Sequence, residues 1–305
     1  YSIIEIENKK HKVIIEDGSP IINLGFPEVP KLTTSIIIPD NGNVDFEIID
    51  LEYEDIKDIN ILPSKGNITR DIDPSTLPYT FGKAYNSNEF YPINLVELSE
   101  PYIVRSKRGL TVSFNSVQYN PISRTLRIYK KIEIKINSTS TYANNILERS
   151  KTGSKPSKEF SYIYENLFIN SQNDVRFEHL DDYGSMLIIC YDDFIDEMQP
   201  FVEWKNKKGI NTDIIGISSI GDNVTSMQSF IDNYYYENNL TYLLLVGDEP
   251  QIPTHIVNGA ASDPTFGFID GDDSFAEVIV GRFSANNPSE LQTQIDRTLD
   301  YEKNP

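Results

Sequence analysis

The sequence predicts an α+β chain of two parts: an N-terminal all-β sandwich or barrel, then an α/β subdomain built on a doubly wound parallel sheet. Two observations carry this. Residues 1–140 hold short β-rich runs divided by Gly, Pro, Asn and Asp, with no helical period. From Ser185 onward, apolar strands alternate with helical stripes, which is the pattern of successive βαβ units. The expected division is 1–145 for the β-rich part, 146–183 for a linker and 184–305 for the α/β part.

In the first part the runs are Lys12–Ile15, Thr34–Ile38, Phe46–Ile49, Ile59–Leu62, Tyr102–Val104, Leu110–Phe114 and Leu126–Ile136. In the last of these Leu126, Ile128, Ile132, Ile134 and Ile136 alternate with Arg127, Tyr129, Glu133 and Lys135, a period of two that marks a half-buried strand. Ser138–Tyr142 and Lys151–Lys158 are Ser-, Thr-, Lys- and Gly-rich without period, as an exposed, protease-accessible linker would be. A short amphipathic helix is expected between Phe160 and Phe168.

In the second part Met186–Cys190 reads as a strand. Phe194, Met198, Phe201 and Val202 follow helical spacing as far as Lys208, where Gly209 stops the helix. Thr212–Ile215 is a short strand, and Met227, Phe230, Ile231, Tyr234 and Tyr235 form the stripe of a second helix. Tyr242–Val246 and Glu277–Gly281 complete four strands. Asn287-Pro288-Ser289-Glu290 is a helix start with a cap, a proline at the first position and a glutamate at the third.

With 305 residues, 39% hydrophobic and 11% aromatic, the chain is globular and long enough for two cores. It opens at Tyr1 and goes straight into Ile3-Ile4, which reads as a piece cut from a longer precursor. No apolar run approaches the roughly 18 residues of a transmembrane segment. The one cysteine, Cys190, cannot form an internal disulfide. Residues 1–176 carry 21 basic and 23 acidic side chains, and residues 177–305 carry 6 and 23. So acidic a chain is a poor partner for nucleic acid. Within the first part, residues 101–158 hold 12 basic side chains against Glu133 and Glu148. That asymmetry either serves solubility or docks the basic segment on the acidic part.

Chemistry is expected near Tyr242–Asp248 and Ser262–Glu277, because function in open α/β sheets gathers beyond the carboxyl ends of strands. Cys190 ends an apolar strand ahead of Asp192 and Asp193, a setting for a core cysteine rather than a nucleophile. His11, His179 and His255 have neither metal-ligand nor triad spacing, and no Gly-rich phosphate loop is present. Asp270-Gly271-Asp272-Asp273 does not have the glycine spacing of an EF-hand. Asp273, Phe275 and Glu277 are spaced by two and would face one way in an extended segment, where Asp248 could meet them. Two readings stand: a non-EF Ca²⁺ site, or carboxylates capping turns and helix ends in water.

Phe201–Gly209, Tyr242–Asp248, Ser262-Asp263, Gly271–Asp273, Val280–Phe283 and Thr293–Thr298 together resemble the gingipain-like cysteine endopeptidases. Upstream, Ser64–Gly66 with Arg70 and Asp73-Pro74, Pro101–Arg105, Arg108-Gly109, Gln118–Pro121 and Leu126–Tyr129 are similar to that family's propeptide. The resemblance implies a β-rich inhibitory and folding-assisting prodomain up to about residue 176. The first subdomain of a caspase-like catalytic domain would follow, with the catalytic His and Cys beyond residue 305. By itself this segment would be inactive, though part of an enzyme that acts on polypeptides from the cell surface or the extracellular medium. The resemblance also implies a Ca²⁺ site of Asp248, Asp273 and Glu277 side chains with the Asp270 and Phe275 carbonyls. Processing is implied between Arg176 and Phe177, which points to Arg preference, and an inhibitory loop carrying Arg70, with Lys65 as the alternative. A decayed peptidase acting as a binding scaffold and a sortase-like relative in secretion are the rival readings.

Overall fold

The computed structural model describes residues 1–6, 9–139, 143–148, 157–171 and 183–304. They fall into two compact units. The first comprises Tyr1–Ile36, Gly42–Glu100 and Leu110–Tyr142; the second comprises Ile37–Asn41, Pro101–Gly109 and Ala143–Pro305.

The strands of the leading half are β1 (Ser2–Glu5), β2 (His11–Ile14), β3 (Ser19–Pro20), β4 (Pro30–Ile37), β5 (Asn43–Ile56), β6 (Val96–Leu98), β7 (Tyr102–Val104), β8 (Lys107–Phe114), β9 (Val117–Asn120) and β10 (Thr125–Thr139). They form antiparallel sheets, β1-β2, β5-β10-β9 and β3-β4-β8-β6. The core of the first unit is Val13, Val29, Ile59, Ile61, Val117, Tyr119, Leu126 and Ile128. The period of two read in β10 is present as alternating half-buried and exposed positions from Ile132 to Ile136. Of its apolar positions only Leu126 and Ile128, at the near end, are fully buried, because β5 and β10 run past the core as a long ribbon.

The second unit contains the β7–β8 hairpin, whose register pairs Tyr102 with Gly109 and Val104 with Lys107. Helix α1 (Lys158–Leu167) matches the expected amphipathic stretch, and buries Phe160 and Tyr164 one turn apart. With Phe168 they pack against Tyr102 and Val104.

The rest of this unit runs β11 (Ser185–Cys190), α2 (Gln199–Lys207), β12 (Asn211–Gly216), α3 (Ile217–Ile220), α4 (Val224–Asn238), β13 (Leu240–Val246), the small hairpin β14 (His255–Val257) and β15 (Ala260–Ser262), β16 (Ile279–Phe283) and α5 (Pro288–Lys303). Strands β12-β11-β13-β16 form one sheet, parallel throughout. Alternate residues of β11 face opposite ways. Met186, Ile188 and Cys190 join a core with Phe201, Leu291 and Ile295, while Leu187 and Ile189 join one with Met227, Ile231 and Tyr235. Helices thus cover both faces, as a doubly wound sheet requires. The α5 start is as read: the Asn287 side chain accepts from Glu290 N, and Glu290 accepts in return from Asn286 N.

The last strand begins later than the sequence suggested, at Ile279 rather than Glu277. Register decides this, since Ile279 pairs with Tyr242, whereas Glu277 turns away, with its N–H on the Gly267 carbonyl.

Helices α2 and α5 are joined by Glu302, whose carboxylate accepts from Trp204 Nε1, Lys205 Nζ and Lys208 Nζ at 2.9, 2.6 and 2.9 Å. Burial would raise the Glu302 carboxyl, but these donors pull it down to about 2. Glu302→Ala is expected to cost about 2 kcal/mol at neutral pH. The depressed acid contributes above its ordinary pKa and loses that contribution as pH falls through the folded value, so the deficit should shrink between pH 5 and 2. Urea unfolding of both proteins across that range measures it.

Candidate functional site

The two edges of the parallel sheet carry different chemistry. At the carboxyl edge, Gly247 and Asp248 follow β13, and Arg282 sits within β16. Arg282 Nε and Nη2 each donate at 2.7 Å to the two oxygens of Asp263, and Nη1 donates to the Gly247 and Ile252 carbonyls at 2.8 and 3.0 Å. One guanidinium therefore fixes both ends of the segment that leaves β13. Asp248 accepts from Glu249 N, Ser284 Oγ and Asn286 Nδ2, which together hold its carboxyl below the usual carboxylate range.

At the amino edge lie Asp270, Asp273, Phe275 and Glu277. Glu277 is fully buried; Oε2 accepts from Ile269 N and Asp270 N at 2.9 and 3.1 Å, and Oε1 from Arg105 N at 3.2 Å. Burial pushes its carboxyl up to about 8, against the pull of those three N–H groups. Asp273 accepts from Ile103 N and Phe275 N, both at 2.9 Å, and burial raises its carboxyl too. Asp270 accepts from Tyr236 Oη at 2.8 Å. Asn145 bridges the group, donating to Asp273 and accepting from Asp272 N. Phe275 stacks on Tyr102 with centroids 3.9 Å apart.

The structure therefore brings together four of the five residues expected to hold Ca²⁺ and leaves Asp248 out. Tyr242 pairs with Ile279, which puts Glu277 at the start of the strands, whereas Asp248 lies beyond their end. The seven residues of β13 intervene, a separation of about 20 Å at ~3.3 Å per residue. Nor is 271–276 the extended segment expected. Residues 271–274 form bends, in which Asp273 accepts from the N–H two residues on. Among the described residues no three His, Cys, Asp or Glu side chains form a group that could hold a metal ion. As placed, the set does not fit a cation that needs six or more converging oxygens, and the Ca²⁺ expectation stands on the resemblance alone.

Arg70 is exposed in the loop after Gly66, whereas Lys65 is engaged, with Nζ 2.7 Å from the Pro74 carbonyl and over the Tyr79 ring. Arg176 and Phe177 lie outside the described residues, as does His179. Cys190 is fully buried, and burial, with Asp192 and Glu197 nearby, pushes its thiol up to about 12. His255 Nε2 lies 2.9 Å from Gln228 Oε1, and burial lowers its pKa.

Sequence reasoning gave Arg105 and Arg282 no role of their own. Arg282 carried a faint signal, an arginine inside an otherwise apolar strand run. Arg105 carried none, since it sits in a stretch rich in basic residues that reads as surface.

Comparison with known families divides the chain where the strand-rich leader gives way to the parallel α/β sheet. The model described as Propeptide_C25 matches residues 2–168, and that of Peptidase family C25 matches residues 179–305. The chain belongs to peptidase family C25, the gingipain family, and contains its propeptide. It is 36% identical to Gingipain R1 of Porphyromonas gingivalis over 94% of its own length and 29% of the relative's. To Gingipain R2 of the same organism it is 35% identical, over 94% of this chain and 40% of that one. The chain thus spans less than half the length of these curated relatives. Among solved structures it is similar to the complex of Porphyromonas gingivalis RgpB pro- and mature domains, with 31% identity, 56% of this chain and 86% of that one covered, and a TM-score of 0.49. Among the described residues no helix is long and apolar enough to cross a membrane.

Proposed function

We propose that this chain is the propeptide and first, caspase-like catalytic subdomain of a secreted cysteine endopeptidase zymogen. The observation that carries the reading is the succession of the two family matches along one chain, propeptide first and peptidase second. The thiolate that attacks the peptide carbonyl, and the His that serves it as acid and base, belong to sequence after residue 305. Cys190 has the setting of a structural core cysteine and not of that thiolate, since it is fully buried among apolar side chains and burial pushes its thiol up. The propeptide docks on the catalytic domain, assists its folding and keeps it latent at the cell surface or outside the cell until cut after Arg176. Exposed Arg70 is the group that enters the specificity pocket, because Lys65 already has partners.

Expression of the full precursor tests this. N-terminal sequencing of the mature enzyme should begin at Phe177, and the Arg70→Ala propeptide should inhibit at least tenfold more weakly than the native one. A mature terminus far from Phe177, or unchanged inhibition, would remove the corresponding assignment.

A further inference from the structure

The amino edge of the parallel sheet, opposite the edge where such folds gather their chemistry, holds an arginine in a built site. Arg105 lies at the turn of the β7–β8 hairpin, φ +50°, and is 2% exposed. Its Nη1 donates to the Leu240 and Glu277 carbonyls at 2.6 and 2.9 Å, and its Nη2 to the Asn239 carbonyl and Oδ1 at 3.2 and 2.7 Å. Thr241 Oγ1 lies 3.5 Å from Nη2. The guanidinium carbon stands 5.3 Å from the Tyr235 ring centroid and 4.9 Å from that of Phe160. The hairpin's main chain is held as well, through Arg105 N on Glu277 Oε1 and Ile103 N on Asp273 Oδ2.

Two features make this recognition of a guanidinium rather than of any cation. The acceptors are three carbonyls and an amide oxygen spread around a planar fork, which an ammonium cannot reach together. They also include the end of α4, a 15-residue helix closed by Asn239 at φ +52°, where unpaired carbonyls and the helix dipole favour a positive group. Arg105 and Phe160 lie within the propeptide match, whereas Tyr235, Asn239, Leu240, Thr241 and Glu277 lie within the peptidase match. All of them belong to the second compact unit.

We infer that the α4–β13 junction with Glu277 is a receptor for an arginine carried on an extended polypeptide, with Arg105 as its resident ligand. Once the chain is cut between the two matched regions, the receptor keeps the propeptide bound without a covalent link. When the propeptide leaves, the receptor takes an arginine-bearing strand from another polypeptide. The inference deepens the docking part of the proposed zymogen reading, but its test reads association and not proteolysis, so either can fail alone.

The experiment places a recognition site for an unrelated protease between Ser171 and Tyr183 of the full-length chain, nicks it there, and follows exchange of the released part against a labelled copy. Nicked wild-type protein should stay associated. Arg105→Met, which keeps an apolar stem and loses the fork, and Arg105→Lys should each weaken association about 100-fold. Asn239→Gly suits the left-handed backbone and deletes one acceptor, so it should weaken association about tenfold. In nicked wild-type protein, where no substitution can harm folding, the peptide Pro-Tyr-Ile-Val-Arg-Ser-Lys should displace the propeptide, and its Arg-to-Lys counterpart should not. If Arg105→Met holds as tightly as wild type, or the two peptides compete equally, the receptor does not exist.

Discussion

Arg282→Met is expected to destabilise the second unit by about 3–5 kcal/mol and to free the segment between Gly247 and Asp263 before anything else unfolds. The magnitude follows from what the fork leaves behind. Asp263, its side chain 25% exposed, loses both charge-assisted bonds at 2.7 Å, and the Gly247 and Ile252 carbonyls lose their shared donor. Methionine restores the volume but none of the donors. Guanidinium chloride unfolding gives the total, and hydrogen exchange of 247–263 locates it. The Arg282 bonds hold the Asp263 carboxyl below the usual range. An acid depressed in the folded state adds stability above its unfolded pKa, and that stability is lost as pH falls through the folded value. The variant should therefore show a flatter acid limb than wild type. A loss under 1 kcal/mol with unchanged exchange would mean that the segment is held by its apolar contacts, Ile252 and Phe266 among them. Under the proposed function the loss would reach activity too, because this segment lies at the sheet edge where such folds work.

The parts of the fold that were legible in the sequence are those set by periodicity. The α/β succession, the α4 stripe and the α5 cap each depend on neighbours within a few residues, and all appear where expected. Strand β10 kept its alternation over Ile132–Ile136 for the same reason. What could not be read was the pairing of distant segments. Nothing local to Glu277 says that Arg105, 172 positions away, will donate to its carboxylate. Nothing near Asp248 says at which end of β13 the other carboxylates will lie. The expectation that they meet took proximity along the chain for proximity in space. A parallel strand carries the chain the full depth of the sheet before the next loop, so Asp248 and Glu277 finish on opposite edges. The basic character of 101–158 was visible, but the burial of Arg105 and Arg108 within it was not. Burial of an arginine depends on carbonyls that other segments supply, here Asn144, Asn145 and Pro39 for Arg108.

Stability of the second unit is expected to fall as pH rises from 5 to 9, and Glu277→Gln should abolish that fall. The carboxyl is raised in the folded state to about 8, from an ordinary value near 4.5. Below the ordinary value both states are protonated and nothing is lost. Between the two values the unfolded chain ionises while the folded one holds its proton, so unfolding gains; above about 8 the loss levels off. The full span is on the order of 5 kcal/mol at most, since one pKa unit is ~1.4 kcal/mol. Glutamine removes this slope at a cost of about 1–3 kcal/mol, because its amide must turn two donors toward sites where Ile269, Asp270 and Arg105 offer only N–H groups. The two stability curves should accordingly cross, with wild type ahead at pH 5 and the variant ahead at pH 9. Thermal unfolding in a chelator-containing buffer tests the crossing, and parallel curves would show that Glu277 does not titrate as its burial requires. Adding Ca²⁺ then tests the expected cation separately. A cation recruited by Glu277 would lower its pKa and restore the wild-type protein at pH 9 while leaving the glutamine variant unmoved. Unchanged unfolding of both proteins with Ca²⁺ would leave Ile269, Asp270 and Arg105 as the partners this carboxyl has.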